Sequence, residues 1–155
     1  MHRINIYCNQ KVIASKIDIQ YLKKILQNIL KKEHQPETAL NFILVDNKEI
    51  RGLNRKYLGK NTITDVIAFP LSDKKGMPTD NINGEIVISV EEALRQSHLR
   101  NIPLKDEILL YCIHGLLHLI GYDDLTPKKR LKMEQKQLYY LSRPKRISAP
   151  GRNLK

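Results

Sequence analysis

The segment that most constrains the fold is residues 107–124, an almost uninterrupted apolar run that carries two histidines. Its apolar character predicts a buried helix. His114 and His118 are four residues apart, so their imidazoles project from one helix face about one turn apart, as a shared metal ion requires. Because glycine readily takes a left-handed conformation, Gly121 is expected to end the helix and turn the chain.

Two aspartates that follow this glycine are candidates for a third ligand. The turn could bring Asp123 or Asp124 toward the histidines, which would give two nitrogen ligands and one carboxylate oxygen. Zinc held by three protein groups keeps a fourth position for water, and this open position distinguishes a catalytic site from a structural one. The bare histidine pair is equally compatible with core histidines that hydrogen-bond to the backbone.

The residue after the first histidine argues against one class of zinc enzyme. Peptidases of the His-Glu-x-x-His type carry a glutamate there, which acts as general base. In this chain the position is Gly115, which has no side chain. The spacing therefore predicts metal binding, whereas the base of that peptidase class is missing.

The charge balance predicts a polyanionic partner. The chain of 155 residues has 27 Lys and Arg against 16 Asp and Glu, a net charge of +11, which would attract RNA in a salt-sensitive manner. The alternative is that this charge only keeps the protein soluble. No apolar run is long enough to span a membrane, the first residues lack the apolar core of a secretion signal, and the two cysteines suit a reducing compartment, so a cytoplasmic location is expected.

The segment His-Gly-Leu-Leu-His-Leu-Ile-Gly-Tyr-Asp-Asp, at residues 114–124, resembles the signature of the YbeY family of bacterial metal-dependent endoribonucleases, which are implicated in ribosomal RNA maturation. The family motif reads His-Gly-x-Leu-His-Leu-x-Gly-Tyr-Asp-His, so Asp124 stands where a third histidine is usual. The resemblance implies that His114, His118 and Asp124 bind one divalent metal, expected to be zinc, with Asp123 as the competitor for the third position. Aspartate is an accepted zinc ligand, although its harder oxygen also suits manganese.

A second segment, residues 53–70, resembles the same family, whose pattern reads Leu-Asn-x-x-Tyr/Phe-Arg-x-Lys and then Thr-Asp-Val-Leu-Ser-Phe-Pro. Leu58 occupies the place of an arginine that the family is thought to use for substrate or transition-state binding, and Ala68 replaces a serine. A developing phosphorane charge would then need another cation, and Arg55 and Lys60 are the nearest in sequence. Either residue could equally be an ordinary surface charge.

Glu107 lies on the same predicted helix face as the two histidines, and the family also has glutamate at this position. It could support the metal ligands through hydrogen bonds. The alternative is that it serves only the positive N-terminal end of the helix.

Hydrophobic periodicity predicts an α/β or α+β fold. Four segments are strand candidates: residues 4–7, 40–45, 66–69 and 84–89. They alternate with about five helices, which predicts a single domain at 1–141 with a small mixed four-stranded sheet and a metal site at the end of a central helix. The two middle strands are expected to be antiparallel across a loop at 71–83. Residues 142–155, with five basic and no acidic residues, are predicted to form a flexible tail that orders on RNA.

The resemblance implies a single-strand-specific endoribonuclease that acts in 16S rRNA 3′ end maturation and ribosome quality control. Its partners would be precursor ribosomal RNA and the small ribosomal subunit, and the oligomeric state stays open. Two alternatives remain. One is a ribosome-associated RNA-binding factor with a structural metal and little catalysis, which the loss of the arginine at Leu58 favours. The other is a metal-dependent hydrolase of a different substrate, which the basic charge disfavours.

Overall fold

A computed structural model of the chain describes residues 2–70 and 83–142. Within these residues four strands and six helices follow one another in this order: β1 (Arg3–Cys8), α1 (Lys11–Ala14), α2 (Ile19–Lys32), β2 (Ala39–Val45), α3 (Asn47–Leu58), β3 (Val66–Pro70), β4 (Asn83–Ser89), α4 (Val90–Arg100), α5 (Leu104–Leu119) and α6 (Pro127–Ser142). Helix α1, a single turn, was not predicted. The loop was predicted at 71–83 and the tail at 142–155, but Asn83 belongs to β4 and Ser142 to α6. The other residues of both segments lie outside the described residues, so the division into a domain and a tail stays a prediction.

The strands form a mixed sheet in the order β1-β2-β4-β3. Strand β2 is parallel to β1 and to β4, with Phe42 opposite Ile6 on one side and Ile86 on the other. Strands β3 and β4 are antiparallel, with Ala68 opposite Ile86. The predicted fold class is therefore confirmed, as is the antiparallel pairing of β3 and β4, the two strands predicted to flank the loop at 71–83.

The sheet carries a large core on one face and a small one on the other. The large core joins α2, α5 and the inward side chains of the strands, and its fully buried members include Leu26, Phe42, Ile88 and Leu116. The small core, under α3, consists of Val45, Ile50, Ile67 and Val87. Burying one such side chain stabilises the fold by roughly 1.5–3 kcal/mol, so these contacts hold the sheet between its helices.

Three helices begin with a side chain that caps the helix. Asp18, Asp46 and Ser89 have extended backbone conformations and accept hydrogen bonds from backbone N–H groups three residues ahead, at 3.0, 2.8 and 3.1 Å. Each cap stabilises its helix by about 1 kcal/mol. These side chains fix where α2, α3 and α4 begin.

Helix α5 approaches the sheet at a glycine. A Cβ atom built on Gly115 would lie 2.6 Å from Cγ2 of Ile86 and 3.2 Å from Cγ2 of Val66. Only glycine allows this distance, so α5 lies directly on β3 and β4. The end of α5, with His118, is consequently held beside β3. Throughout residues 2–70 and 83–142, every helix is too short or too polar to cross a membrane.

Candidate metal centre and substrate cleft

The turn after α5 is built by Gly121. This residue has a φ of +113°, its N–H donates to the carbonyl of His118 at 3.2 Å, and the N–H of Tyr122 donates to the carbonyl of Leu117 at 3.0 Å. This pair of bonds is the Schellman arrangement, which satisfies the last carbonyls of a helix and reverses the chain. The prediction that Gly121 ends the helix is confirmed, and the turn leaves Asp123 and Asp124 near enough to His118 for their charges to act on its imidazole.

The two histidines face each other with the geometry that a metal ion needs. Their Nε2 atoms are 3.1 Å apart, and the ring centroids are 4.6 Å apart with the planes at 76°. Two nitrogen ligands of a tetrahedral zinc ion, each at 2.0–2.1 Å from the metal, lie about 3.3 Å from each other. The paired imidazoles therefore fit a shared ion.

Gln137 of α6 orients the first imidazole. Its Oε1 atom accepts a hydrogen bond from Nδ1 of His114. Because Oε1 can only accept, Nδ1 carries the proton and Nε2 keeps its lone pair toward His118. A polar partner on the far nitrogen is the usual support of a metal-binding histidine. Sequence reasoning missed this residue, which is 23 positions from His114.

His118 is held in the neutral form that binds metal. Burial lowers its pKa below the ordinary 6.5, and the neighbouring His114 lowers it further. The negative charges of Asp124 and then Asp123 act in the opposite direction, as does a hydrogen bond with the backbone of Tyr122, without reversing the shift. A ligand nitrogen with a free lone pair is consequently present at neutral pH.

The two aspartates differ in what they contact. Asp123 is half-buried, accepts a hydrogen bond from the N–H of Leu125 at 3.0 Å and pairs with Lys129 at 3.5 Å. Asp124 is exposed, and its charge raises the pKa of His118 more than the charge of Asp123 does. Across the described part of the chain, no three side chains of His, Cys, Asp and Glu converge closely enough to hold a metal. The structure thus brings together His114 and His118, and the third ligand stays a prediction.

Glu107 is fully buried and pairs with Arg100 of α4 at 3.0 Å. Its second oxygen has no hydrogen-bond partner among the described residues. The nearby charge of this carboxylate contributes, after burial, to raising the pKa of Tyr111. The contact with Arg100 joins α4 to α5, whereas the role predicted for Glu107 beside the metal stays a prediction.

A cleft of about 660 Å³ opens beside His118, between α3, β3 and the end of α5. Leu58 and Ala68, the two positions that depart from the family pattern, both line it, and so does Lys60. Lys60 is the only Lys or Arg among the described lining residues, and Arg55 is not one of them. The structure therefore places one of the two candidate cations at the cleft and leaves the other outside it.

The segment that carries Lys60 is fixed by Asn54. The left-handed Gly59, with a φ of +70°, ends α3, and the buried Asn54 donates to the carbonyl of Thr62 at 3.0 Å and to its hydroxyl at 3.2 Å. This asparagine belongs to the Leu-Asn pair of the second motif, which was the available signal, yet sequence reasoning gave it no role. Its hydrogen bonds hold the wall of the cleft in place.

Two imidazoles that fit a shared metal, an adjoining cleft and a strongly basic chain are features expected of a metal-dependent hydrolase. The family model described as Endoribonuclease YbeY matches residues 5–145. This match covers most of the chain, which therefore belongs to the YbeY family of endoribonucleases. The resemblance seen in the two motifs is confirmed, and the chain is an enzyme that acts on RNA.

Individual relatives agree with the family match. The chain is 36% identical over 131 residues to the Endoribonuclease YbeY of Syntrophus aciditrophicus, covering 81% of this chain and 82% of the relative. It is 34% identical over 131 residues to that of Desulforamulus reducens, covering 79% and 86%. The solution structure of TM1509 from Thermotoga maritima superimposes with a TM-score of 0.65 at 29% identity, covering 100% of this chain and 96% of that one.

Proposed function

We propose that this endoribonuclease cleaves single-stranded RNA with the help of one divalent metal, preferentially zinc, held by His114, His118 and Asp124. The biological reaction proposed is 16S rRNA 3′ end maturation, together with ribosome quality control, on precursor RNA of the small ribosomal subunit in the cytoplasm. The observation that carries the proposal is the pair of facing Nε2 atoms, 3.1 Å apart beside an open cleft.

Asp124 is the preferred third ligand because its carboxylate is available. Within the described residues the structure records no hydrogen bond or ion pair for it, whereas Asp123 is bound to Leu125 and Lys129. An exposed aspartate can rotate toward the histidines at little cost. Two imidazole nitrogens and one carboxylate oxygen are a ligand set typical of catalytic zinc.

The residues around the metal position would have different roles in cleavage. Bound there, the ion would polarise a phosphoryl oxygen and lower the pKa of water to about 7. Gln137 holds the proton of His114 on Nδ1, so that Nε2 stays directed at the metal position. Lys60 supplies the positive charge that phosphate oxygens require, and Asn54 fixes the segment in which Lys60 lies.

Metal content of two aspartate variants tests the ligand set. The protein, purified without an affinity tag, is expected to contain about one ion per chain. Asp124→Ala is expected to lose the ion and the cleavage of a single-stranded RNA, whereas Asp123→Ala retains both. Loss of metal in Asp123→Ala alone would assign the third position to the other aspartate, and full metal retention in both variants would contradict a three-residue site.

Lys60 and Arg55 form a matched pair for testing substrate binding. Both are exposed cations, but only Lys60 lines the cleft. Lys60→Ala is expected to lower kcat/KM for a short RNA by about tenfold or more, because a hydrogen bond to a charged group contributes at least about 1.5 kcal/mol. Arg55→Ala is expected to stay within about twofold of the parent.

Leu58→Arg provides the converse measurement. An arginine at this position of the cleft is expected to raise kcat/KM. It is also expected to reduce the loss of kcat/KM that Lys60→Ala causes, since two cations would then be available to bind one phosphate. Equal losses in Lys60→Ala and Arg55→Ala would instead indicate a general effect of protein charge, and Lys60 would not be a substrate contact.

The second candidate function is an RNA-binding factor with a structural metal and little catalysis. It is favoured by one observation, the half-exposed, apolar Leu58 on the cleft wall. Single-turnover cleavage, measured with and without a chelator, separates the two functions. The factor would bind RNA equally well in both conditions and cleave it in neither.

A further inference from the structure

Two small clefts lie side by side along α6, and the first of them adjoins the turn that follows α5. The first, of about 430 Å³, is lined by Gly121, Tyr122 and Asp123 of the turn and by Lys129 and Lys132 of α6, and the second, of about 540 Å³, is lined by Lys32, Lys132, Lys136 and Tyr139, among others. Glu33 and Lys132 line both clefts. A continuous surface therefore leads from the turn, next to Asp124, along α6 to the end of α2. We call it the lysine track, with Lys32, Lys129 and Lys132 as its defining cations.

The negative charges on the lysine track are already neutralised. Asp123 pairs with Lys129 at 3.5 Å, and Glu33 pairs with Lys136 at 3.0 Å. Glu33 also accepts hydrogen bonds from the hydroxyls of Tyr122 and Tyr140. The one acidic residue of α6, Glu134, lines a different cleft. Among the described residues no carboxylate forms an ion pair with Lys32 or Lys132, so these two cations are available to an anionic ligand.

Tyrosine rings lie beneath the lysines of the track. The Nζ atom of Lys32 is 5.9 Å from the ring centroid of Tyr139, and that of Lys132 is 5.8 Å from the ring of Tyr122. Cation–π contacts of this kind contribute roughly 0.5–1 kcal/mol at exposed sites. They restrict the long lysine side chains, which lowers the entropy cost when the ammonium groups contact an anion.

We propose that the lysine track binds the phosphate backbone of the RNA strand that continues beyond the metal centre. This inference rests on the proposed function, because it assigns a path to the substrate of the same site. Lysines are point charges that bind phosphate without reading bases, so the track would add affinity irrespective of sequence. Its contribution would grow with RNA length until the strand covers the track.

The test is binding of single-stranded RNA in the presence of EDTA, so that cleavage and metal play no part. The variant Lys32→Ala, Lys129→Ala, Lys132→Ala is compared with Lys11→Ala, Lys16→Ala, Lys48→Ala, which removes the same charge from exposed lysines outside both clefts. All six lysines are at least partly exposed, so both variants are expected to fold. Affinities for RNAs of about 4 and 16 nucleotides are measured across a salt series.

The track variant is expected to bind the longer RNA at least about tenfold more weakly. Its salt slope is expected to be smaller by about 1.4, since Lys129 is already paired with Asp123 and each of the other two lysines would contribute about 0.7 on a single strand. The control variant keeps the salt slope of the parent, and the shorter RNA binds alike to both variants. Equal losses in the two variants, or an unchanged salt slope in the track variant, would overturn the inference. If the parent binds through the track yet never cleaves RNA, the proposed function fails and the track stands.

Discussion

Replacing both His114 and His118 by alanine is expected to remove the bound metal and to lower the single-turnover rate of RNA cleavage by at least about a thousandfold. Metal-ion catalysis contributes several kcal/mol to the stabilisation of a transition state, and each 1.4 kcal/mol corresponds to about a factor of ten. The two Nε2 atoms are 3.1 Å apart, so each alanine would remove one of the two imidazoles proposed to hold the ion. The measurement combines metal analysis with a quenched-flow assay.

RNA binding provides the control for this double variant. Both histidines lie at the end of α5, and neither lines the lysine track, so affinity for a long RNA in EDTA is expected to stay within about threefold of the parent. Cleavage that persists at the parental rate in the metal-free variant would exclude the proposed metal centre.

Gly115→Ala is expected to destabilise the fold by about 2 kcal/mol, although alanine is the better helix former. The added Cβ atom would lie 2.6 Å from a methyl group of the fully buried Ile86, and overpacking of this kind costs about 1–3 kcal/mol. For a chain of this length the expected decrease in Tm is roughly 4–8 °C. Gly115→Glu, which would create the His-Glu-x-x-His motif of zinc peptidases, is expected to prevent folding because it also buries a charge.

Gly52→Ala on the exposed side of α3 is the matched control. A Cβ atom there meets nothing within 4 Å, so the substitution is expected to stabilise the protein by roughly 0.5–1 kcal/mol through the helix propensity of alanine. Chemical denaturation of both variants gives the comparison. A Gly115→Ala protein as stable as Gly52→Ala would show that α5 has room to move away from the sheet.

The histidine pair was predictable because its geometry is local. Four residues of helix fix the relative position of His114 and His118 whatever the rest of the fold does. Local geometry likewise determines the helix caps at Asp46 and Ser89, whose partners are three residues away. The second family motif also pointed to Leu58 and Ala68, which both line the cleft.

Contacts between distant segments were not predictable in this way. Gln137 reaches His114 only because α6 packs on α5, and Glu33 meets Tyr140 across 107 positions of sequence. The tyrosines gave no sign of a shared surface in the sequence, since Tyr122 and Tyr140 lie on different elements. The proposed third ligand, Asp124, depends on the side-chain rotamer of an exposed residue, which neither helical spacing nor the backbone of the turn determines.

Strand β3 has β4 as its sole neighbour among the described strands, so it forms an edge of the sheet. The same strand supplies Val66, Ile67, Ala68 and Pro70 to the wall of the cleft beside His118. On its free side an edge strand has backbone N–H and C=O groups that are not hydrogen-bonded to a second strand. Side-chain replacements such as Leu58 and Ala68 leave those main-chain groups unchanged. An RNA strand in the cleft would therefore meet the same backbone polar groups, whichever side chains line it.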